Sequence, residues 1–579
     1  MTFTDRLKKA ASLERLNKAI GESRAIRELA GNPLLLTMMA ILNRNQELPR
    51  FRAKLYEEAS KVLLHKWDFE VKEELRNDKI DPRSIDEEVK QTICGRIAYK
   101  MQSSGKGLAG NIISRDDLRQ TIAESLSGLM GTEATACAKL MVEQLRERNF
   151  ILCFLGGYNE DYFAFVHRTF LEYFCAWEFV RQFEKERKLE LDGLIQIFRQ
   201  HWRDESWHEV LRLMAGMLNA KFTGDILKYL IGENGEADKF SNLFLAAQCL
   251  DEVRNRNDIA AIASQLRDRV KELTKYRNIT VSTSVEYHSL VFQIRGQAVA
   301  AVAATWKDDP ETLPWLKQQA QSDDNWDVRA SAVQELAQGW KDDPETLPWL
   351  KQQAQSNDED YVRQAAVQVL ARGWKDDPQT LPWLKQLAQP DDDLEVRYTA
   401  VQELARGWKD DPQTLPWLKQ LAQSDDECVR SLAVQELARG WKDDPETLSI
   451  LKQLAQSDDD WLVRASALQQ LARGWKNDPE TLSILKQQDQ SDDNEVVRAP
   501  AVQELARGWK DDPETLPWLK QLAQSNDNWD VRQAALAAII ELYPDRPQTL
   551  EILRDRAQND RDQKLREFAQ EKLTQLEGK

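Results

Sequence analysis

Apolar positions in the second half of the chain recur with the beat of a helix, break at a polar turn and start again, and the whole figure then repeats. After Trp306, the residues Leu313, Leu316 and Ala320 fall on one helical face. Ser322, Asp323, Asp324 and Asn325 make a polar turn able to cap a second helix, along which Val328, Ala332 and Leu336 recur every four residues, with Val333 and Ala337 beside them. Gly339 ends that helix and Trp340 opens the next unit. Asp309, Pro310 and Glu311 have the chemistry of a helix start: an aspartate can cap, proline suits the first turn, and glutamate complements the helix dipole. Each unit is therefore predicted to be a helical hairpin. Trp-Lys pairs open seven of them, at Trp306, Trp340, Trp374, Trp408, Trp441, Trp475 and Trp509, in steps of 34 residues with one of 33. Units of this kind bury their apolar faces only against their neighbours, so the array is expected to present a long curved surface that grips a partner.

The seven copies differ unevenly. Trp-Lys, Asp-Pro and Val-Arg hardly change, whereas the two residues before Val-Arg and the two after it do. These four columns cluster around the first turn of the second helix, near one edge of the array. Trp326, Tyr361, Tyr398, Trp461 and Trp529 are the aromatic side chains among them, and they are the candidate anchors of a partner-reading strip. The competing reading is that exposed positions drift while packed ones cannot. The Trp306 column, and the column of Trp315, Trp349, Trp383, Trp417 and Trp518 with Ile450 and Ile484 in two copies, read as packing, because a core position tolerates that kind of apolar exchange. From Tyr543 the pattern gives way to polar, charged helix, as a solvent-facing cap requires.

Charge narrows the partner. The chain carries −17 by formal count, the seven units alone −19, so the remainder is close to neutral. An acidic array repels phosphate backbones, which excludes nucleic acid along the repeats. Six scattered cysteines with no Cys-x-x-Cys pair fit reduced thiols better than a disulfide framework or a zinc site. The amino terminus has no apolar signal core, and the apolar stretch from Pro33 to Leu42 is too short to span a bilayer. A soluble cytoplasmic protein with no membrane partner is expected.

A 34-residue helical hairpin first brings tetratricopeptide repeats to mind, but their Gly-x-x-Tyr pattern and mid-repeat glycine turn are missing. The pattern Asp-x-x-x-Val-Arg-x-x-Ala, as in Asp324 to Ala332 and Asp392 to Ala400, instead resembles the short HEAT-like repeats named after phycobilisome lyases. Arg329, Arg363, Arg397, Arg430, Arg464, Arg498 and Arg532 occupy its arginine position. Some HEAT-like proteins hold di-iron through His-Glu pairs, but all five histidines here precede the array, so no metal site is expected on it. Nothing positive supports a bilin lyase, and HEAT-like alkylated-DNA glycosylases use a basic groove, opposite to this charge.

The first three hundred residues are not repetitive. Ala30-Gly31-Asn32-Pro33-Leu34-Leu35-Leu36-Thr37 opens an apolar helix, and Leu48-Pro49-Arg50, Leu55-Tyr56-Glu57-Glu58 and Leu63-Leu64-His65-Lys66-Trp67-Asp68 follow. Asn149 to Leu152 and Tyr162 to Phe165 flank Gly156-Gly157-Tyr158-Asn159 and read as a β-hairpin. Phe165-Val166-His167-Arg168-Thr169-Phe170-Leu171-Glu172-Tyr173-Phe174 comes next, and later Trp207-His208-Glu209-Val210-Leu211. Together these strings, over about 20–220, resemble the region after the nucleotide-binding core of NACHT proteins, a branch of the STAND signalling NTPases. The resemblance implies that Pro33 packs on adenine and that His167 reaches an ADP phosphate in a closed resting state. Read without it, Pro33 is a helix-start proline and His167 a satisfied core histidine. A P-loop is missing: Gly105-Lys106 is followed by Gly107, and Lys100 stands where the motif needs its first glycine. The core is expected before residue 1, in a longer or separate protein, so this chain alone holds no cofactor, and ADP or ATP enters only if that core is supplied.

The predicted fold class is mainly α: a NACHT-associated helical segment at 1–68, a winged helix with a small hairpin at 69–184, a helical connector at 185–305, seven HEAT-like repeats at 306–542 and capping helices at 543–579. The expected function is the ligand-sensing and regulatory portion of a NACHT-type signalling protein, of the kind found in bacteria, with the array binding a protein or peptide and no catalysis by this chain. The alternative is a non-enzymatic HEAT-repeat scaffold for protein–protein interaction.

Overall fold

The computed structural model describes residues 13–21, 24–44, 47–66, 86–104, 111–147, 151–156, 161–277, 285–356, 360–389, 394–491 and 495–577. The chain divides into two compact units, 1–316 and 317–579. The described regular structure is helical apart from three short strands.

In the first unit α1 (Arg24–Ala30), α2 (Pro33–Leu42) and α3 (Arg52–Lys61) precede a helical and β assembly. It contains α4 (Glu87–Gln102), β1 (Ile113–Ser114), α5 (Arg115–Met130), α6 (Ala134–Glu147), β2 (Leu152–Gly156), β3 (Tyr162–Phe165) and α7 (Arg168–Glu184). Its helix starts are set by local side chains: Asp86 accepts from the Val89 amide at 2.9 Å, and Ser114 accepts from that of Asp117 at 3.1 Å. Gly131, just past α5, has a φ of +52°, a conformation glycine adopts without a Cβ clash. The strands run antiparallel in the order β1-β3-β2, with Leu152 opposite Phe165 and Ile113 opposite Phe163. The hairpin read from the sequence is present, although Asn149, Phe150 and the turn at 157–160 lie outside the described residues. β1 has two residues, too few for an alternation signal. Phe170, Leu171, Tyr173 and Phe174 of α7 are buried in one continuous core. This core continues through the helices that follow, beginning with α8 (Leu191–His201) and α9 (Glu205–Met217).

The array is built of the predicted hairpins, with one systematic difference. The first helices begin at Thr312, Thr346, Thr380, Thr414 and Thr515, past the Asp-Pro-Glu or Asp-Pro-Gln that the sequence marks as a helix start, but at Pro445 and Pro479 in the other two copies. A second proline explains this. Pro314, Pro348, Pro382, Pro416 and Pro517 stand four residues beyond the first proline, where a helix begun at that first proline would need their missing N–H. Starting at threonine puts them in the first turn, which needs no such donor. Ser449 and Ser483 replace them in the two longer helices, and there Asp444 caps by accepting from the Thr447 amide at 2.9 Å. The terminal glycines, Gly339 among them, are the last helical residues, and none has positive φ. The segment expected to cap the array is itself a hairpin, Pro547–Asn559 and Gln563–Glu577.

Charged contacts join each hairpin to the next. Arg430 donates from Nη1 to the Ser424 carbonyl at 2.8 Å, and from Nε and Nη2 to Asp458 of the following copy at 3.0 and 2.9 Å. Arg532 repeats this on the Asn526 carbonyl (2.9 Å) and on Asp560 (3.0 and 2.7 Å), with both side chains at most 2 % exposed. Farther along the second helix Arg372 meets Glu403 and Arg473 meets Glu504, at closest distances of 2.5 and 2.7 Å. On the first helices Lys419 reaches Asp444 at 2.9 Å and Glu446 at 2.6 Å, and Lys452 reaches Asp478 and Glu480, both at 2.8 Å. The tryptophan column, half-buried over most of its length, also meets cations of its own chain: Lys341 lies 6.0 Å from the Trp374 ring and Lys442 6.0 Å from that of Trp475.

Two predictions follow from these contacts. Arg532→Ala leaves the buried Asp560 carboxylate without its bidentate partner, at a cost of about 3–5 kcal/mol. In a nearest-neighbour array the loss is local; hydrogen exchange is expected to rise over 543–577 while 345–440 keeps its protection, and uniform loss would contradict the clasp. The second concerns pH. Burial alone would raise the carboxyls of Asp444, Asp478 and Asp560, but their lysine or arginine partners outweigh it and hold them below the usual range. Their stabilisation is present above the unfolded value of about 3.9 and is lost as pH falls through the lower folded values. Calorimetry between pH 5 and pH 2.5 should show the array's transition moving down in temperature as the acid concentration rises.

Candidate functional site

The Gly-Asn-Pro turn and the winged-helix histidine, 135 residues apart in sequence, meet in the first unit. Asn32 caps α2, its Oδ1 accepting from the Leu34 and Leu35 amides at 2.9 and 3.2 Å. Pro33 follows at the first helical position with its ring exposed, while Leu35, Met38, Met39 and Leu42 hold the helix in the core. His167 stands at the N-cap position of α7 with an extended backbone and is half-buried. The Asn32 Nδ2 faces the His167 Nε2. The two residues singled out in the sequence are thus neighbours, and the group that links them, the Asn32 amide, had no sign in the sequence beyond its place in the turn.

The Asn32 contact selects one of two tautomers that the surroundings of the ring allow. With Oδ1 committed to the helix cap, Nδ2 donates, so the His167 Nε2 must carry a lone pair. The ring proton then sits on Nδ1, 3.0 Å from the Thr169 Oγ1, which accepts it. Burial lowers the pKa of the ring and favours this neutral form. The other tautomer has its own partner: with Nδ1 unprotonated, the Thr169 amide, 3.2 Å away, donates to it and completes the cap of α7. Nε2–H would then point to where Asn32 now stands. The site is a two-way arrangement in which the ring either accepts from Asn32 or donates to an anion.

Behind it lies a buried charge cluster. Arg168 donates to Glu172 at 2.7 Å and to the Ser206 carbonyl at 3.1 Å, tying α7 to α9. Arg52 of α3 binds Glu209 at 2.6 Å, and Glu252 sits 3.8 Å from Arg52 and 3.6 Å from Arg212. Burial pushes Glu172 and Glu252 up to about 7, against the opposing arginines. A Cβ at Gly216 would come within 3.0 Å of the Glu252 Cβ, so glycine is what lets these helices approach. Sequence reading quoted Glu172 and Glu209 as motif letters but gave no role to Arg52 or Glu252, whose pairing depends on contacts distant in sequence.

On the array the five aromatic candidates separate. Tyr361, Tyr398 and Trp461 are exposed by 55, 39 and 39 %. Trp326 is half-buried and stacks on Tyr361, with ring centroids 4.4 Å apart at 26°. Trp529 is half-buried with the Lys564 ammonium 5.3 Å over its ring, so part of its face is already used. Of the four variable columns, the last is mostly packed: Ala365, Thr399, Leu432 and Ser466 are buried, and Ser466 hydrogen-bonds Ser431, in the third column of the preceding copy, at 2.6 Å. Beside Tyr398 lies a cleft of about 210 Å³. No group of three or more His, Cys, Asp or Glu side chains fit to hold a metal occurs among the described residues, and no described helix is long and apolar enough to cross a membrane.

Two family models match. The model described as a winged helix-turn-helix domain C-terminal to NACHT matches residues 52–179, and that of HEAT repeats matches 292–371, 373–472 and 474–574. Neither describes an enzyme. No curated protein matches the chain. Among solved structures, YibA of Escherichia coli is 19 % identical over 47 % of this chain and 94 % of its own, with a TM-score of 0.27. Kap121p is 12 % identical over 94 % of this chain and 57 % of its own, with a TM-score of 0.33, and its complex with Nup53p gives 0.34 over 95 % and 57 %. The chain therefore spans little more than half the length of Kap121p, and similarity this low carries no functional argument. The family models do identify the architecture: this chain belongs to the proteins that join a winged helix-turn-helix domain of the kind C-terminal to NACHT to an array of HEAT repeats.

Proposed function

We propose that this chain is the ligand-sensing and regulatory portion of a NACHT-type signalling switch. The HEAT array takes a protein partner, and the first unit reports that event to a nucleotide-binding core supplied by a longer or separate protein. The observation that carries the reading is the meeting of Asn32, Pro33 and His167. An exposed proline ring beside a histidine able to present Nε2–H forms half of a nucleotide contact, an apolar face for the base and a donor for a phosphate oxygen. Bound ADP would supply the anion that favours the donating tautomer. Asn32 gives up its bond to the ring in that state, and the Thr169 amide donates to the unprotonated Nδ1. Partner binding acts on such a switch only as far as it prefers one state over the other.

The second reading is a scaffold indifferent to nucleotide, favoured by the fact that the His167 Nε2 already has a partner within its own chain. Calorimetric titration of ADP into a NACHT core mixed with the full chain separates the two. A lost hydrogen bond to a charged group is worth about 1.5–3 kcal/mol, so His167→Ala is expected to weaken ADP by roughly ten- to a hundredfold. Asn32→Ser keeps a helix cap but removes the competing amide, and is expected to tighten ADP. Because burial depresses the pKa of the free ring, and an anion raises it, affinity should also fall as pH climbs from the free toward the bound value. Equal affinities in wild type and both variants would leave the scaffold.

A further inference from the structure

We infer that the array takes a basic, extended peptide segment, seating one aliphatic side chain in the cleft at Tyr398 with Lys or Arg on either side of it. This rests on the reading of the array as a partner-binding surface and specifies the partner's chemistry.

The cleft lies between the second helices Leu394–Gly407 and Glu427–Gly440 and is lined by Leu394, Tyr398, Val401, Cys428, Leu432 and Leu462. Its origin is local. The position directly before Val-Arg holds Tyr361, Glu395 and Leu462 in neighbouring copies but the small Cys428 here, in the one unit that is a residue short. The large Tyr398 of the preceding copy overhangs that gap, and Leu394 and Tyr398 stay exposed although apolar. At about 210 Å³ the cleft is smaller than the roughly 300–1,000 Å³ of small-molecule sites. It is sized for one side chain of a larger partner. Trp326 and Trp461 stand in the column of Leu394, and Tyr361, stacked on Trp326, in that of Cys428, so a segment crossing the copies meets further aromatic side chains near the first turns of other second helices.

Charge selects the segment. Glu395 and Glu427, both exposed, flank the cleft, and Asp360 follows on the same columns. The arginine at the cleft, Arg397, is engaged by Asp426 at 2.5 Å, and Arg363 by Asp360 at 2.6 Å. With a formal surplus of −19 over the seven units, an acidic segment is repelled and a basic one is drawn in.

The test is selection from a displayed library of random peptides on the full chain, with the selected peptides then titrated against wild type, Tyr398→Ala, and the double variant Glu395→Gln, Glu427→Gln. Both sites are at the surface, and melting curves check that the variants fold. The expected result is a set of Lys- and Arg-rich peptides with one Leu, Ile or Met, each weakened about tenfold by either variant and by replacing that one apolar residue with Ala. Peptides that need Tyr398 but carry no basic excess would overturn this inference and leave the partner-binding reading intact. Basic peptides indifferent to both variants and to their apolar residue show mere attraction to an acidic surface, which overturns it too. If no peptide is selected, or none depends on the aromatic strip, the inference and the partner-binding reading fall together.

Discussion

A hairpin of about 34 residues cannot bury its own apolar face, and everything in the second unit depends on the contact that fixes one hairpin on the next. The arginine of Val-Arg makes that contact. Arg430 and Arg532 each satisfy a carbonyl in the turn between the helices of their own copy and grip an aspartate at the same turn of the following one, and Arg397 and Arg498 reach Asp426 and the Asn526 amide oxygen of the next copy. One side chain thus fixes both the bend within a hairpin and the register between hairpins. Apolar packing alone is not directional. The planar guanidinium, with its donors in a fixed fork, supplies direction, and a lysine at that place could not satisfy three acceptors in one plane.

The first unit meets a different constraint with the same chemistry. Its helices bring together chain segments remote in sequence, so its polar contacts span long intervals: Arg52 to Glu209, Arg168 to the Ser206 carbonyl, Asn32 to His167. These contacts are partly buried, so a missing partner leaves a polar group poorly solvated. The His167 ring stands at the start of α7, which also carries Arg168 and Glu172, so the cap position and part of the charge cluster share one helix. A neutral ring with a choice of tautomers is suited to that position, because it can change its donor face without leaving a buried charge behind.

How much of this was legible in the sequence follows from the range of the interactions. The hairpins, their period and their packed columns were readable because they arise from local periodicity. The Val-Arg arginine was visible as an invariant letter, but its partner lies in the next copy, 28 residues on from Arg430 or Arg532, and no pattern within one copy reveals that. The start of the first helix was misplaced in five of seven copies because a second proline outweighs a good cap, a conflict seen only by asking which N–H each proline removes. The Gly-Asn-Pro turn and His167 were found by resemblance, while Asn32 as their link needed three dimensions. Variation in the fourth column suggests exposure, yet that column is mostly packed, because matched changes between copies allow variation in a packed position. Ser466, which hydrogen-bonds Ser431 of the preceding copy, is such a case.

The same ladders explain where the charge of the array goes. The second lysine, the Val-Arg arginine and the arginine near the terminal glycine meet an acid of the following copy in different copies, as Lys452, Arg430 and Arg372 show. The first lysine can lean over the next tryptophan, as Lys442 does. Cations are therefore largely spent on stacking, within a chain that holds more acids than bases. What remains at the surface is the acidic excess, together with a few large apolar residues such as Tyr398 and Trp461. The acidity of the surface is thus a by-product of how the copies are joined before it is a recognition signal. In the proposed reading, recognition uses it where one copy departs from the rest, at the shortened unit with Cys428 beside Tyr398.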